Sequence, residues 1–521
     1  MFSRFIKYAL CMAALLLTAC RQQSDNVLNY AYNDNMAFGS AEKSYAAKFD
    51  VMWYGLNANY ALWDFEYENG LDWDQVYDTY RPKFENLDKQ QTAVSDLQLK
   101  SLLDSVLAPL HDGHLVVRME NHATGKYVGS SPGQMRVLRE RSEEYAAVRN
   151  KTIGASAYTW YRNAGDIIEE RHSDTNPLET CVEPLVLRLQ EQVSEWDDKK
   201  AAGTITPEEQ DSLTIYGKVL NELLQALTQT SSDQAAISAY NILAYRYEYL
   251  QIPGLVPVDP TLVNYAMNLS YVLFRSNGGT VAYLAFDRFR LSAYLEPEYT
   301  EELFGTPSAS TQAVIDDLKA TWRAWFNAIQ THQQAGDLHG VIIDIRSNGG
   351  GYMNDFKFAL GALLPAGGHH NTDARFKRGT GRYDYSPIMP QNVRTLDETH
   401  VTVTAPIVTL CNCASVSMAE QTSYGTKMLD NGTLIGTRTF GGFSALVGAE
   451  GYTTNYAGHV GVQGVTPVFC YVPMEVAFSL DGHILEGHGV DPDIEVAFDV
   501  ATWNKGNGPD SQLDRALQFI K

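Results

Sequence analysis

A layered α/β core, joined to an N-terminal helical subdomain and a helical insertion, is the fold class the sequence predicts, and three observations predict it. Short apolar runs at 280–289, 340–346, 405–411, 433–439 and 471–479 alternate with helical stretches at 310–335 and 354–364, the pattern of an α/β core. Residues 41–120 repeat apolar side chains at helical spacing, and 121–264 shift to charged, helix-favouring residues. The 521 residues, 45% apolar and 20% charged, have the composition of an ordinary folded protein with room for two or three domains. A formal charge of -22, from 40 basic and 62 acidic residues, repels phosphates and excludes nucleic acid as a partner.

Residues 1–19 read as a secretory signal peptide, with Arg4 and Lys7 at its start and an apolar stretch from Tyr8 to Leu17 too short to span a bilayer. The stretch closes on Leu17-Thr-Ala-Cys20, which resembles the lipobox of bacterial lipoproteins. That resemblance implies a lipid on Cys20, attachment to a membrane through it, and a place in the bacterial cell envelope. Arg21, where an aspartate would signal retention, points by the same rule to the outer membrane. Polar, Asn-rich residues 20–40 suit a tether. No later run reaches 18 apolar residues, so the lipid is the expected membrane attachment.

From 41 to 120, Phe49, Met52, Trp53, Leu56, Tyr60 and Trp63 recur every three or four positions, as on a buried helix face, and Asp72 is placed to cap a second helix. The 121–264 insertion has long amphipathic stretches at 182–200 and 208–230, and its run Glu195-Trp-Asp-Asp-Lys-Lys200 reads as a solvated face. The α/β part runs from 265 to 521. Within it, Gly340-Val-Ile-Ile-Asp-Ile-Arg-Ser-Asn-Gly-Gly-Gly351 reads as a buried strand feeding an exposed backbone loop. Asn412-Cys-Ala-Ser-Val-Ser-Met-Ala-Glu420 follows an apolar run and enters a helix expected over 417–429. A hydroxyl at such a strand-to-helix junction sits where free amides and the helix dipole can steady an oxyanion.

Four segments then carry a family resemblance. Asp344–Gly351, the Ser-Val-Ser-Met-Ala-Glu segment ending at Glu420, and Leu434-Ile-Gly-Thr-Arg-Thr-Phe-Gly-Gly442 resemble the tail-specific, or carboxyl-terminal processing, serine peptidases. Leu110-His-Asp-Gly-His114 and Leu485-Glu-Gly-His-Gly-Val-Asp-Pro-Asp493 make the likeness closest to the tricorn peptidase core. The resemblance spans 41–120 and 265–500 and implies a layered β-α-β core of the crotonase/ClpP kind. It implies Ser417 as nucleophile, His114 as its base and Glu486 as the group that orients the histidine and steadies its charge. The backbone amides of Met418 and Gly350 would hold the oxyanion, with Asn348, Gly349 and Gly351 shaping the loop.

Some relatives use a lysine base just after the Thr-Phe-Gly of the third segment, where this chain has Gly442. Lys427 lies ten residues beyond Ser417, about 15 Å along a helix, out of reach. Imidazole is suited to the task near neutral pH. The tricorn pattern also has a serine before the histidine, and this chain has Gly113; the link to Glu486 then falls to a water or to a less direct action of the carboxylate.

Each residue has a plainer reading. Ser417 is a reasonable N-cap, His114 a structural histidine, Glu486 a charge before a glycine, and the glycines a phosphate loop that lacks both G-x-G-x-x-G spacing and a lysine. Co-occurrence in this chain order favours the peptidase. His369, His370 and His483 lack metal-ligand spacing, and Cys411 and Cys413 read as buried thiols, so neither metal nor cofactor is expected. The expected function is an exported, lipid-anchored endopeptidase acting on peptides or the C-terminal tails of envelope proteins through an acyl-enzyme. The alternative is a non-catalytic protein that binds a ligand or partner on the same fold. No carboxylate-binding PDZ-like module is legible between 121 and 260.

Overall fold

Successive side chains along the buried strands point to opposite faces of a central sheet and build an apolar layer on each. The computed structural model describes residues 43–149, 158–378, 381–396, 402–444, 447–448, 455–456, 460–505 and 508–521. The expected signal peptide, the expected lipidation site Cys20 and the expected tether lie outside these residues. The strands in chain order are β1 (Val116–Asn121), β2 (Lys126–Ser130), β3 (Ile167–Asp174), β4 (Asn268–Ser276), β5 (Gly279–Phe286), β6 (Leu338–Asp344), β7 (Gly368–Phe376) and β8 (Met389–Arg394). They continue as β9 (Ile407–Cys411), β10 (Gly432–Gly436), β11 (Val447–Gly448), β12 (Asn455–Tyr456), β13 (Val468–Tyr471), β14 (Glu475–Phe478) and β15 (Ile494–Glu495).

The main sheet has seven strands in the order β15-β10-β9-β6-β5-β4-β3. Pairing is parallel from β15 to β5 and antiparallel from β5 to β3. Leu284, Val341, Ile343 and Ile407 face a core roofed by Ile315, Leu318, Trp322, Trp325 and Ile329 of the Ala309–Ala335 helix. Their strand neighbours Val281, Tyr283, Ile342, Val408 and Leu410 face the opposite layer, closed by Leu513, Ala516, Leu517 and Ile520 of the Ser511–Ile520 helix. Period-2 alternation thus serves two cores at once, which is why these strands read as unbroken apolar runs. A buried ion pair ties the second layer to the loop after β6: Arg346 Nη1 donates to Asp510 Oδ1 at 2.8 Å and Arg346 Nε to Asp344 Oδ1 at 2.9 Å.

The N-terminal subdomain buries Phe49, Met52, Trp53, Leu56, Tyr60 and Trp63 in one cluster with Leu115, Val117 and Met119 of the β1 segment and Val468 and Cys470 of β13. Asp72 caps the Trp73–Asp88 helix by accepting from the Asp74 and Gln75 amides. A three-stranded sheet, β13-β1-β2, joins this subdomain to the late part of the chain. Residues 121–264, expected as a mostly helical insertion, also supply β2 to that sheet and β3 to the edge of the main one. The helices Glu183–Ala201, Pro207–Thr228 and Asp233–Arg246 form a separate packed unit around Leu189, Leu223 and Tyr240.

Two expected elements differ. The helix read near 354–364 is a pair of 3₁₀ turns, Met353–Phe358 and Leu360–Leu363, interrupted at Ala359, whose φ of -112° and ψ of -109° lie outside the helical region. The strand read over 471–479 is split into β13 and β14 around Pro473, which has no amide for a ladder. Among the described residues no helix is long and apolar enough to cross a membrane.

Candidate active site

Three parallel neighbours, β6, β9 and β10, end on the same edge of the sheet, and their following loops meet there, as expected for a site at the carboxyl ends of parallel strands. After β6, Asn348 is fully buried; its Nδ2 donates to the Phe286 carbonyl and its Oδ1 accepts from the Gly350 amide at 2.8 Å. Asn348 thereby shapes the glycine loop. Gly350 has φ +80° and sits where a Cβ would lie 2.6 Å from Ser417 Cβ and 2.7 Å from the Val416 carbonyl oxygen. Gly351, at φ +147°, would place a Cβ 2.0 Å from the Phe289 carbonyl oxygen. Side chains are excluded here by backbone on both sides.

After β9, Ser417 stands just ahead of the Met418–Lys427 helix at φ 60° and ψ -118°. Among the described residues only Gln251, Ser347 and Ser417 are non-glycines with positive φ, and two of them lie in these facing loops. Such dihedrals cost energy and persist where the surroundings enforce them. Ser417 is held by its amide, which donates to the Gly442 carbonyl at 3.0 Å, while Val416 donates to the Asn348 carbonyl at 2.9 Å. Met418 opens the helix, so its amide has no acceptor within the helix. Glu420, three residues on, binds the Gly441 and Gly442 amides at 2.8 and 2.7 Å and the Thr439 hydroxyl at 2.6 Å, fixing the loop after β10. Burial pushes the Glu420 carboxyl up to about 7.

His114 arrives from the other end of the chain on the segment preceding β1. Asp112 Oδ1 accepts from the His114 and Leu115 amides at 2.7 and 2.8 Å, forming the turn. Gly113 meets Gly442 backbone to backbone: a Cβ on Gly113 would lie 2.4 Å from Gly442 Cα. Gly133 presses from behind, where a Cβ would lie 2.6 Å from Gly113 Cα. The histidine is therefore one residue away from a glycine that contacts Gly442, whose carbonyl holds Ser417. A serine at 113, as in the tricorn pattern, has no room.

Glu486 is buried and spends its carboxylate on two amides, Gly113 to Oε1 and Ser444 to Oε2, both at 2.5 Å. His114 Nδ1 and Asp112 Oδ2 are buried without a partner among the described residues. Ligating atoms of Asp112, His114 and Glu486 lie within 4.8 Å of one another, the one cluster among the described residues close enough to take a metal ion; two Glu486 oxygens already engaged by amides make it a poor donor set. Burial lowers the His114 pKa, with the Glu486 charge opposing that shift. Burial and the Glu486 charge raise Asp112 well above the ordinary carboxyl range.

Lys427 points elsewhere, donating to the Asp491 carbonyl and pairing with Asp493 at 2.9 Å. His370 pairs with Asp373 at 2.8 Å, and Cys411 and Cys413 are free, buried thiols. Two supports were not legible in the sequence. Arg136, on the Pro132–Val148 helix, donates from Nη1 to the His111 carbonyl at 2.6 Å and from Nη2 to the Gly441 carbonyl at 3.0 Å, stapling the histidine segment to the loop after β10. Glu66 accepts from the His111 amide at 2.8 Å and faces its Nδ1 at 2.7 Å. Only Glu420 left a trace, the S-x-x-E spacing of a helix start.

Residues 309–496 match the sequence model of peptidase family S41. Two curated relatives, each a tricorn protease, are 29% identical over 185 residues (Thermoplasma volcanium) and 30% identical over 182 residues (Thermoplasma acidophilum). Each match covers 35% of this chain but only 15% and 14% of the relative, so the chain spans a small part of their length. Among solved structures, mature CPAF complexed with lactacystin aligns over 92% of this chain and 98% of that one, with 12% identity and a TM-score of 0.44. The photosystem II D1 C-terminal processing protease aligns over 44% and 55%, with 14% identity and a TM-score of 0.26.

Proposed function

We propose, from the match of residues 309–496 to peptidase family S41, that the chain is a serine endopeptidase cleaving peptides or the C-terminal tails of envelope proteins through an acyl-enzyme. The observation that carries the reading is Ser417: a non-glycine at φ 60° heading a helix, against the glycine loop and tied through Gly442 to the Gly113–His114 segment.

Ser417 Oγ attacks the scissile carbonyl while His114 takes its proton, and His114 then returns that proton to the leaving amine. Water, deprotonated by the same imidazole, releases the acyl group. Glu486 acts by its charge and by fixing the Gly113 amide, which replaces the serine-mediated link of the tricorn pattern. The Met418 amide is one oxyanion donor. The Gly350 amide is the second, exchanging its neutral Asn348 acceptor for the charged oxyanion, to which a hydrogen bond is stronger. The leader ahead of Cys20 supports export, a lipid on that cysteine and, with them, activity at the envelope; metabolic labelling with an alkyne-tagged fatty acid is expected to mark wild type and not Cys20→Ser.

A fluorophosphonate probe is expected to give one adduct, on Ser417, in wild-type protein and none in Ser417→Ala, with casein turnover lost in parallel. Absence of both adduct and casein cleavage in folded wild type would refute the hydrolytic reading in favour of a binding protein on this fold.

A further inference from the structure

The parallel strand next to β6, β5, ends on the same edge of the sheet, and the turn that follows it carries Arg290, whose Nη1 has no hydrogen-bond acceptor among the described residues. Phe289 donates its amide to the Gly350 carbonyl and accepts from the Tyr352 amide, both at 2.9 Å, so the turn lies directly against the glycine loop. On its far side Asp355, fully buried, accepts from the Leu291 and Ser292 amides at 2.5 and 2.9 Å. Arg290 is thus pinned in the backbone from both directions.

Its side chain is half-buried and stacks on Tyr265, with the guanidinium carbon 5.5 Å from the ring centroid. Nη1 is buried and has no hydrogen-bond acceptor among the described residues. The charges and phenols that act on Arg290 most are Arg288, Tyr352, Tyr294 and Tyr265. Nearby carboxylates are taken: Asp287 accepts from the Asn268 amide and side chain at 2.9 and 3.1 Å, and Asp355 holds the turn. Arg288, beside it, is exposed and adds a second positive charge. An unpaired cation in a partly desolvated, tyrosine-lined recess is costly in a resting protein and suited to an anion that brings its own charge.

We infer that Arg290, with Tyr265 and Tyr352 beside it, forms a carboxylate-binding subsite flanking the glycine loop. Its ligand is a substrate carboxylate, either the free C-terminus of a peptide or an acidic side chain near the scissile bond. The subsite rests on the peptidase reading for its role, while its binding chemistry is measurable without turnover. A planar guanidinium takes a carboxylate through paired hydrogen bonds, and the adjoining tyrosines shield that pair from water.

The experiment uses the full chain with Ser417→Ala and fluorescein-labelled peptide pools of neutral random core, carrying a free or amidated C-terminus and either Glu or Gln at one core position. Anisotropy is expected to show that Arg290→Gln weakens binding of the carboxylate-bearing pools about tenfold or more and leaves the amidated Gln pool unchanged. Arg290→Lys is expected to lie between the two. Which pool, free terminus or Glu, loses most identifies the source of the carboxylate. Equal affinity for all four pools in the parent, or an equal loss across all pools in the variant, overturns the subsite. With Ser417 present, Arg290→Gln is expected to keep its fluorophosphonate adduct; loss in that variant alone overturns the assignment by showing that Arg290 holds the fold. Absence of an adduct in wild type counts against the peptidase reading, and the binding comparison still decides the subsite.

Discussion

Burial sets the protonation of the groups that matter most. His114 is kept neutral by desolvation, with its pKa below the ordinary 6.5 despite the pull of Glu486. The base form therefore prevails at neutral pH, and kcat/KM is expected to rise with pH to a plateau, with the midpoint of the acid limb below 6.5. Replacing Glu486 by Gln removes the opposing charge and is expected to move that limb further down; a limb that stays in place or moves up argues that Glu486 does not act on His114. Glu475 on β14 behaves oppositely. Burial pushes its carboxyl up to about 7 from 4.5, relieved only by Gln391 at 2.5 Å. The folded state then holds a proton that the unfolded chain releases, so this group's contribution is complete below pH 4.5 and falls as pH rises through about 7. Glu475→Gln is expected to flatten that slope, leaving the variant more stable than wild type at pH 8 by roughly 2–3 kcal/mol in urea melts.

At the scale of elements, the decisive contacts are between main chains. Gly113 has no room for a Cβ because Gly442 Cα would stand 2.4 Å away, and Gly442 is the position to which the family resemblance would assign a lysine base. The two glycines belong together: bare backbone at 442 makes space for the histidine-bearing turn. Gly113→Ser, which writes the tricorn serine into this chain, is accordingly expected to lower activity by orders of magnitude and to lower the melting temperature, as strain of this kind typically costs 1–3 kcal/mol. Improved turnover in that variant would show that the turn can yield.

These contacts also explain what could be read from sequence. Asp72 as a helix cap and the buried apolar run of β6 follow from local chemistry, and their residues carry recognisable patterns, whereas the approach of the glycine loop to Ser417 was implied by the family resemblance of the two segments. Arg136 and Glu66 do not, because each works by reaching a backbone carbonyl or amide far away in the chain, and such a partner leaves no mark in residue type. The Gly350 amide was legible as a candidate donor but not as one already bonded to Asn348.

Across the whole molecule, distant segments are fastened by a few buried polar ties. Asp510 both caps the Ser511–Ile520 helix, accepting from the Gln512 and Leu513 amides, and receives Arg346 at 2.8 Å. Arg346 stands two residues before Asn348, so this tie runs from the final helix to the base of the glycine loop. Asp510→Ala removes a cap and strips a partner from a buried cation, and is expected to cost about 3–5 kcal/mol in denaturant melts. A loss under about 1 kcal/mol would show that Asp344 alone satisfies the arginine.

The long route from His114 to Ser417 and Glu486 has a temporal meaning. On the proposed mechanism the imidazole is synthesised some three hundred residues ahead of the hydroxyl it serves, and the two are joined through contacts made late in the chain: Gly442, Glu486, the Arg136 staple and the pairing of β1 with β13. On that mechanism a nascent chain carries its base long before the junction that arms it, and self-digestion is withheld until the last sheet closes.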